Sequence, residues 1–146
     1  MSGQKNGFTL VEILIVLSIF IVMSFASLMV LKPQFFLLEK NLFFSELTTD
    51  LLLAQQYALS HHQEVTVNIS PSSHSYYIRK RGEENFIIRR QYSKSINIRE
   101  GTMPSSFQYL PDGNTNKFGS FFVYIGDKAY RVTFLIGSGR FYVVEA

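Results

Sequence analysis

The stretch GFTLVEILIVLSIFIVMSFASLMVL, residues 7–31, puts one carboxylate, Glu12, near the start of an otherwise uncharged apolar run. From Ile13 to Leu31 there is no charged residue, and Ser18, Ser24 and Ser27 are the only polar interruptions. As a helix rising 1.5 Å per residue this run is about 28 Å long, close to the hydrocarbon thickness of a bilayer. Lys32 and Pro33 end it sharply. Two rival readings are weaker. A helix apolar on every side would need a large core around it, and a 146-residue chain offers little. A cleaved secretory signal would use Lys5 as its basic start and Ser24-Phe25-Ala26 as a small-x-small cleavage site. The apolar run, however, continues through Leu28-Met29-Val30-Leu31, and an acid at position 12 is out of place in such a signal. Lys5 and the α-amine favour a cytoplasmic N-terminus, which would put the long region after Lys32 outside the cell.

A carboxylate inside the bilayer costs on the order of 2.5–3.5 kcal/mol, somewhat less near a helix end. No basic residue within the apolar run offsets that cost. A cut between Gly7 and Phe8 would create a cation, since the new α-amine would lie four residues before Glu12. A carboxylate in the first helical turn is also favoured by the macrodipole.

Gly7-Phe8-Thr9-Leu10-Val11-Glu12, followed by an uncharged apolar helix, resembles the class III signal of type IV pilins and type II secretion pseudopilins. The resemblance implies that a prepilin peptidase cuts between Gly7 and Phe8, that Phe8 is then N-methylated, and that Glu12 pairs with a neighbouring subunit's α-amine during assembly. It further implies other pilin or pseudopilin subunits, an assembly platform protein and an ATPase as partners, and a filament at the cell surface. Major pilins often carry a proline within the apolar helix; here Pro33 stands at its end.

After Pro33 the pattern is amphipathic. Phe44, Leu47, Leu51, Ala54 and Ala58 recur at helical steps and predict a core-facing stripe. Glu39, Lys40, Glu46 and Asp50 mark the more polar sides, and the helix is expected to end near residue 62. Phe35 to Leu38 are expected to face neighbouring subunits or lipid. Pro33 disfavours helix at Lys32 and removes a donor, so a kink or local break is expected there.

From Glu64 the period changes to two. Strands are expected in EVTVNI, YYIRK and FIIRRQY, and over Ser95–Arg99, Phe107–Leu110, Ser120–Ile125, Ala129–Ile136 and Arg140–Val144. Turns fall at PSSHS, at Arg81–Asn85, at Gly126-Asp127-Lys128 and at Gly137-Ser138-Gly139, with a longer polar loop from Pro111 to Gly119. The reading is α+β: a long N-terminal helix, first transmembrane and then amphipathic, on a small antiparallel β-rich head. The domains are 1–7 (leader), 8–31 (transmembrane and assembly helix), 32–62 (amphipathic helix) and 63–146 (head). This layout is similar to minor pseudopilins of the GspH/FimT type. Residues 47–67 and 130–145 look like a minor pilin of the DNA-uptake machinery of natural competence.

The chain has no cysteine, which excludes disulfides and thiolate chemistry. It has no phosphate loop with lysine, no zinc spacing and no G-x-S-x-G elbow. Ser138 between glycines reads as a turn residue. His61 and His62 would point about 100° apart on a helix, a poor metal pair. His74 falls in a turn. No enzyme, cofactor or metal site is expected. The net charge of +3 does not by itself imply a polyanion partner. One local cluster does raise it: Arg79, Lys80, Arg81, Arg89, Arg90 and Lys94, with Arg99 just beyond, interleaved with Tyr76, Tyr77, Phe86 and Tyr92. Cations with aromatics could track a nucleic-acid strand, or charge could simply keep a hairpin edge soluble. The sequence thus points to a minor subunit of a pilus-like filament for DNA uptake. A pseudopilin of a protein-secretion machine and a filament-borne DNA-binding module are the alternatives.

Overall fold

The computed structural model describes residues 9–146, with residues 30–33 described as backbone only. A single helix, α1, runs from Leu10 to His61, and eight strands follow: β1 (Val65–Ser70), β2 (Ser75–Lys80), β3 (Phe86–Gln91), β4 (Ile96–Arg99), β5 (Ser106–Tyr109), β6 (Gly119–Ile125), β7 (Lys128–Phe134) and β8 (Phe141–Glu145). Each strand expected from the two-residue alternation is present. The local break expected at Pro33 is not: helix is maintained through it. Proline removes one backbone donor, and the turns on either side keep theirs.

The chain divides into two compact units, one ending at Glu39 and one from Lys40 to Ala146. In the first, the described side chains from Leu10 to Met29 are exposed all round the helix. The three serines that interrupt the apolar run satisfy themselves. Ser18 Oγ donates to the Leu14 carbonyl at 2.7 Å, Ser24 to Phe20 at 2.8 Å and Ser27 to Met23 at 2.9 Å. A hydroxyl that bonds its own helix needs no water, so this surface suits an apolar solvent.

In the second unit α1 shows one face to a core. Phe43, Leu47, Leu51, Ala54 and Ala58 are buried, the last two completely. Phe43 takes the innermost place expected for Phe44, which is half-buried with its ring edge-on to Tyr130 at 5.3 Å. The two alanines let the sheets approach the helix closely. The helix ends where His62 adopts a left-handed φ of 51° and Gln63 N–H donates to the Ala58 carbonyl at 3.3 Å.

The strands form two four-stranded antiparallel sheets, ordered β3-β2-β1-β5 and β4-β6-β7-β8. Alternate residues fill the shared core: Val65, Val67, Ile69, Tyr76, Ile78, Phe107 and Tyr109 from the first, and Ile96, Ile98, Phe121, Val123, Ile125, Tyr130, Val132 and Phe134 from the second. β7 stops at Phe134, two residues short of expectation. Leu135 and Ile136 are exposed and belong to the turn that Leu135 N–H closes onto the Arg140 carbonyl at 2.8 Å.

Candidate functional site

Glu12 sits in the first turn of α1 and forms a reciprocal cap with Thr9. The Thr9 backbone N–H donates to Glu12 Oε2 at 2.8 Å and the Thr9 hydroxyl to the same oxygen at 3.0 Å. In return Glu12 N–H donates to Thr9 Oγ1 at 3.3 Å. This is a capping box, threonine before the helix and glutamate three residues on, and it satisfies helix-end donors that lipid could not. The carboxylate therefore has partners before any cut is made. Among the described residues nothing engages its other oxygen, Oε1, so the group retains an acceptor for a second donor. The T-x-x-E spacing of Thr9 and Glu12 could have identified Thr9 in the sequence. Gly7 and Phe8, where cleavage and methylation are expected, lie outside the described residues.

The second site is the basic cluster, which the fold divides. Arg90 turns inward. Its Nε donates to Asp50 Oδ2 at 3.0 Å, and the same oxygen accepts from the Tyr76 hydroxyl at 2.7 Å. Asp50, expected on a polar side of the helix, is only 2% exposed. It lies on the same face as Leu47 and Ala54, three or four residues away, and is admitted to the core because two donors meet it there. Burial, first, and then the bond to Asp50 push the Tyr76 phenol well above its ordinary range. Lys80 pairs with Glu83 at 3.3 Å and Arg81 with Glu64.

Arg79 and Arg89 behave differently. The antiparallel register places Arg89 opposite Tyr77 and Phe86 opposite Arg79, all on the outer face of the first sheet. Arg79 lies over the Tyr77 ring (5.6 Å to the centroid), Arg89 lies over Phe86 (5.5 Å), and the two rings meet edge-on at 5.2 Å. Among the described residues neither arginine has a carboxylate partner, and Lys94 is likewise exposed without one. Of the six cations in the cluster, these three remain available to an anion.

The histidines do not converge. His61 stacks on Tyr57 at 3.9 Å, His62 ends the helix, and His74 takes a φ of 48° after the short 3-10 turn Pro71–Ser73. Among the described residues no three His, Asp or Glu side chains come together around a common point. Ser138 lies in the β7–β8 turn, where its carbonyl accepts from Gln55 Nε2 at 3.2 Å. The same amide donates to the Gly113 carbonyl at 2.8 Å, so one helical glutamine ties two loops together.

Comparison with known proteins agrees with this anatomy. Residues 3–28 match the family described as the prokaryotic N-terminal methylation motif. Over 138 residues, 94% of this chain and 92% of the relative, the sequence is 28% identical to competence protein ComGD of Bacillus subtilis. The fold is similar to the type IV minor pilin FimU of Pseudomonas aeruginosa, with a TM-score of 0.58 at 12% identity over 68% of this chain and 84% of that one. It is also similar to the minor pseudopilin EpsH of the Vibrio cholerae type 2 secretion system, with a TM-score of 0.52 at 14% identity over 69% and 92%. The chain thus carries a prepilin-type N-terminus and a minor-pilin fold.

Proposed function

We propose that this chain is a single-pass membrane prepilin that becomes a minor subunit of a type IV pilus-like filament serving DNA binding and uptake in natural transformation. The observation that carries the reading is a methylation-motif segment at residues 3–28 in a chain that matches ComGD over 94% of its length. The work is assembly, not catalysis. A prepilin peptidase hydrolyses the Gly7–Phe8 amide: the C–N bond breaks, water supplies the oxygen of the new Gly7 carboxylate, and Phe8 gains a free amine. Phe8 is then N-methylated, which leaves the amine basic. Glu12, already oriented by Thr9, offers its free oxygen to the amine of an adjacent subunit. An assembly platform protein and an ATPase move the subunit out of the bilayer. The N-terminus is cytoplasmic before assembly, and the β-rich unit lies outside. The head contacts DNA through Arg79, Arg89 and Lys94; Lys80, Arg81 and Arg90 serve ion pairs within the fold.

Two measurements test the reading. Mass analysis of the purified protein should find a chain beginning at methylated Phe8; one beginning at Ser27 would restore an ordinary signal peptide. Glu12→Ala should remove the subunit from filaments while its head melts as in the parent. Normal incorporation of that variant would sink the pairing. The likeness to EpsH favours a second reading, a pseudopilin of a protein-secretion machine. Deleting the gene separates the two: DNA uptake fails under the first, protein export under the second.

A further inference from the structure

The outer face of the second sheet carries a row with an unusual composition. The register aligns Arg99 of β4 with Phe122 of β6, Phe122 with Arg131 of β7, and Arg131 with Val144 of β8. One aromatic ring is therefore flanked on both sides by arginine. Arg131 lies over Phe122, 5.5 Å from its centroid, and Arg99 lies over the neighbouring Tyr124 at 5.2 Å. In the adjacent row β8 adds Tyr142, aligned with Thr133 and 47% exposed. Among the described residues no cation or second ring covers Tyr142, and Val144 beside it is 43% exposed.

No Asp or Glu occupies an outward position of this face. Two acids adjoining these strands are engaged elsewhere, Glu100 accepting from Ser105 N–H at 2.8 Å and Glu145 holding Lys128 at 2.7 Å, and Asp127 lies in the β6–β7 turn, off the face. A face that merely stays soluble mixes charges of both signs and limits exposed aromatic area. This one has a single sign of charge, and that charge is set between rings.

We infer that the outer face of β4-β6-β7-β8 binds single-stranded nucleic acid, with Arg99 and Arg131 taking phosphates and Tyr142 stacking a base. The two arginines stand two strand spacings apart, about 9.6 Å at the backbone, with a ring between them. That spacing of charge, with Tyr142 uncovered in the adjacent row, matches a chain of phosphates with a base splayed beside it. A duplex keeps its base faces stacked inside and would use the arginines alone, so Tyr142 favours the single strand. The surface is separate from Arg79 and Arg89 on the other sheet, and the inference does not rest on filament assembly.

The test uses the full chain in non-ionic detergent micelles with fluorescein-labelled dT15, read by anisotropy across a salt series. Arg99→Gln with Arg131→Gln should weaken binding at least about 10-fold and flatten the log–log salt slope by about 1.4, the share of two phosphate contacts on a single strand. Tyr142→Ser should cost about 10-fold with the slope unchanged, since stacking releases no counterions. Lys80→Gln with Arg81→Gln, a change of equal charge at residues that serve ion pairs within the fold, should bind dT15 as the parent does. All these side chains are exposed or half-exposed, and circular dichroism confirms the fold of each variant. The assignment is overturned by unchanged dT15 affinity in the Arg99/Arg131 variant, or by equal loss in the Lys80/Arg81 variant. It is equally overturned if a 15-base-pair duplex binds as tightly as dT15, or if an acidic tyrosine-containing peptide displaces dT15 at equal concentration.

Discussion

Replacing Asp50 should damage the β-rich unit, and the cost follows from what each partner loses. Its side chain is 3% exposed and accepts from Tyr76 Oη at 2.7 Å and Arg90 Nε at 3.0 Å. In Asp50→Ala the Tyr76 hydroxyl, in a residue only 2% exposed, is left with no acceptor, a loss of about 1–3 kcal/mol. Arg90 is 47% exposed and returns to water, so its end of the pair adds little. The expected destabilisation is about 2 kcal/mol, or a fall in Tm of roughly 8–12 °C for a domain of this size. Arg90→Ala strands a buried carboxylate with one donor and should cost about as much, below the 3–5 kcal/mol of a fully buried pair. The decisive variant is Asp50→Leu combined with Tyr76→Phe, which removes acceptor and donor together. It should be more stable than the sum of the two singles predicts, by about 1–2 kcal/mol. The assay is thermal melting of the full chain in detergent, followed by near-ultraviolet tyrosine circular dichroism. Hydrogen exchange adds a spatial readout: amides of β3, residues 86–91, should lose protection first in Asp50→Ala, because Arg90 anchors that edge strand to α1. Simple additivity in the double variant, or a change below about 0.5 kcal/mol in Asp50→Ala, would refute the reasoning.

Other perturbations have equally definite outcomes. Thr9→Val removes the cap and should fray the first turn of α1 at a cost of about 1 kcal/mol, seen as faster exchange there with an unaltered melt of the β-rich unit. Gly139→Ala should destabilise by about 2 kcal/mol or more in the same melt: the glycine has a φ of +59°, and an added Cβ would meet the Gly113 carbonyl and stand 2.6 Å from Gln55 Nε2. Tyr92→Phe should raise Tm, because that buried hydroxyl has no hydrogen-bond partner among the described residues and burial has pushed its pKa up to about 12. Burial likewise raises the phenols of Tyr76 and Tyr109 above their ordinary value near 10. The folded state then keeps protons that the unfolded chain gives up. Stability should be full below pH 10 and fall above it by about 2.7 kcal/mol per pH unit for these two groups. An alkaline melting series reads this directly, and Tyr109→Phe should lower the slope by about 1.4 kcal/mol per pH unit.

Which parts of this structure were legible in the sequence follows from which interactions are local. The apolar run, the eight strands and most of the helical core stripe rest on periodicity, and each appears at its expected place. Charge normally marks solvent, so periodicity alone puts Asp50 on a polar side of the helix. Its burial depends on Tyr76 and Arg90, 26 and 40 residues away, and periodicity carries no trace of a partner that distant. The exchange of Phe43 for Phe44 is of the same kind, since adjacent phenylalanines look equivalent until Tyr92 and Tyr130 have taken their places beside them. As sequence, the six-residue basic cluster is uniform. Strand alternation and the bulge between Ile78 and Arg79 send its members to different faces, Arg90 inward and Arg89 outward. The row of Arg99, Phe122 and Arg131 shows the reverse case. Its members are distant in sequence, and only the pairing order β4-β6-β7 makes them neighbours. Alternation within β6 and β7 does mark Phe122 and Arg131 as outward.

One helix carries two kinds of surface here, and the change falls near the boundary between the two units, at Glu39 and Lys40. Before it, side chains are apolar all round and the serines bond their own backbone. After it, one face carries Phe43 to Ala58 into a core shared with both sheets. Under the proposed function this division has a consequence for assembly. The β-rich unit has its own core and its own ion pairs, so its stability does not depend on whether the first segment is surrounded by lipid or by other apolar helices. Only Glu12 registers the exchange. In lipid the Thr9 cap satisfies one of its oxygens. Among packed helices a negative charge with one satisfied oxygen still lacks a counterion. The amine released at Phe8 is the cation nearest in sequence, and it does not exist until the leader is cut. Cleavage would then supply the counterion that makes burial of Glu12 among neighbouring helices favourable. An uncleaved Gly7→Val precursor should keep a folded β-rich unit, yet stay in the membrane even with every other assembly component present. Its incorporation into filaments without cleavage would show that Glu12 needs no new amine.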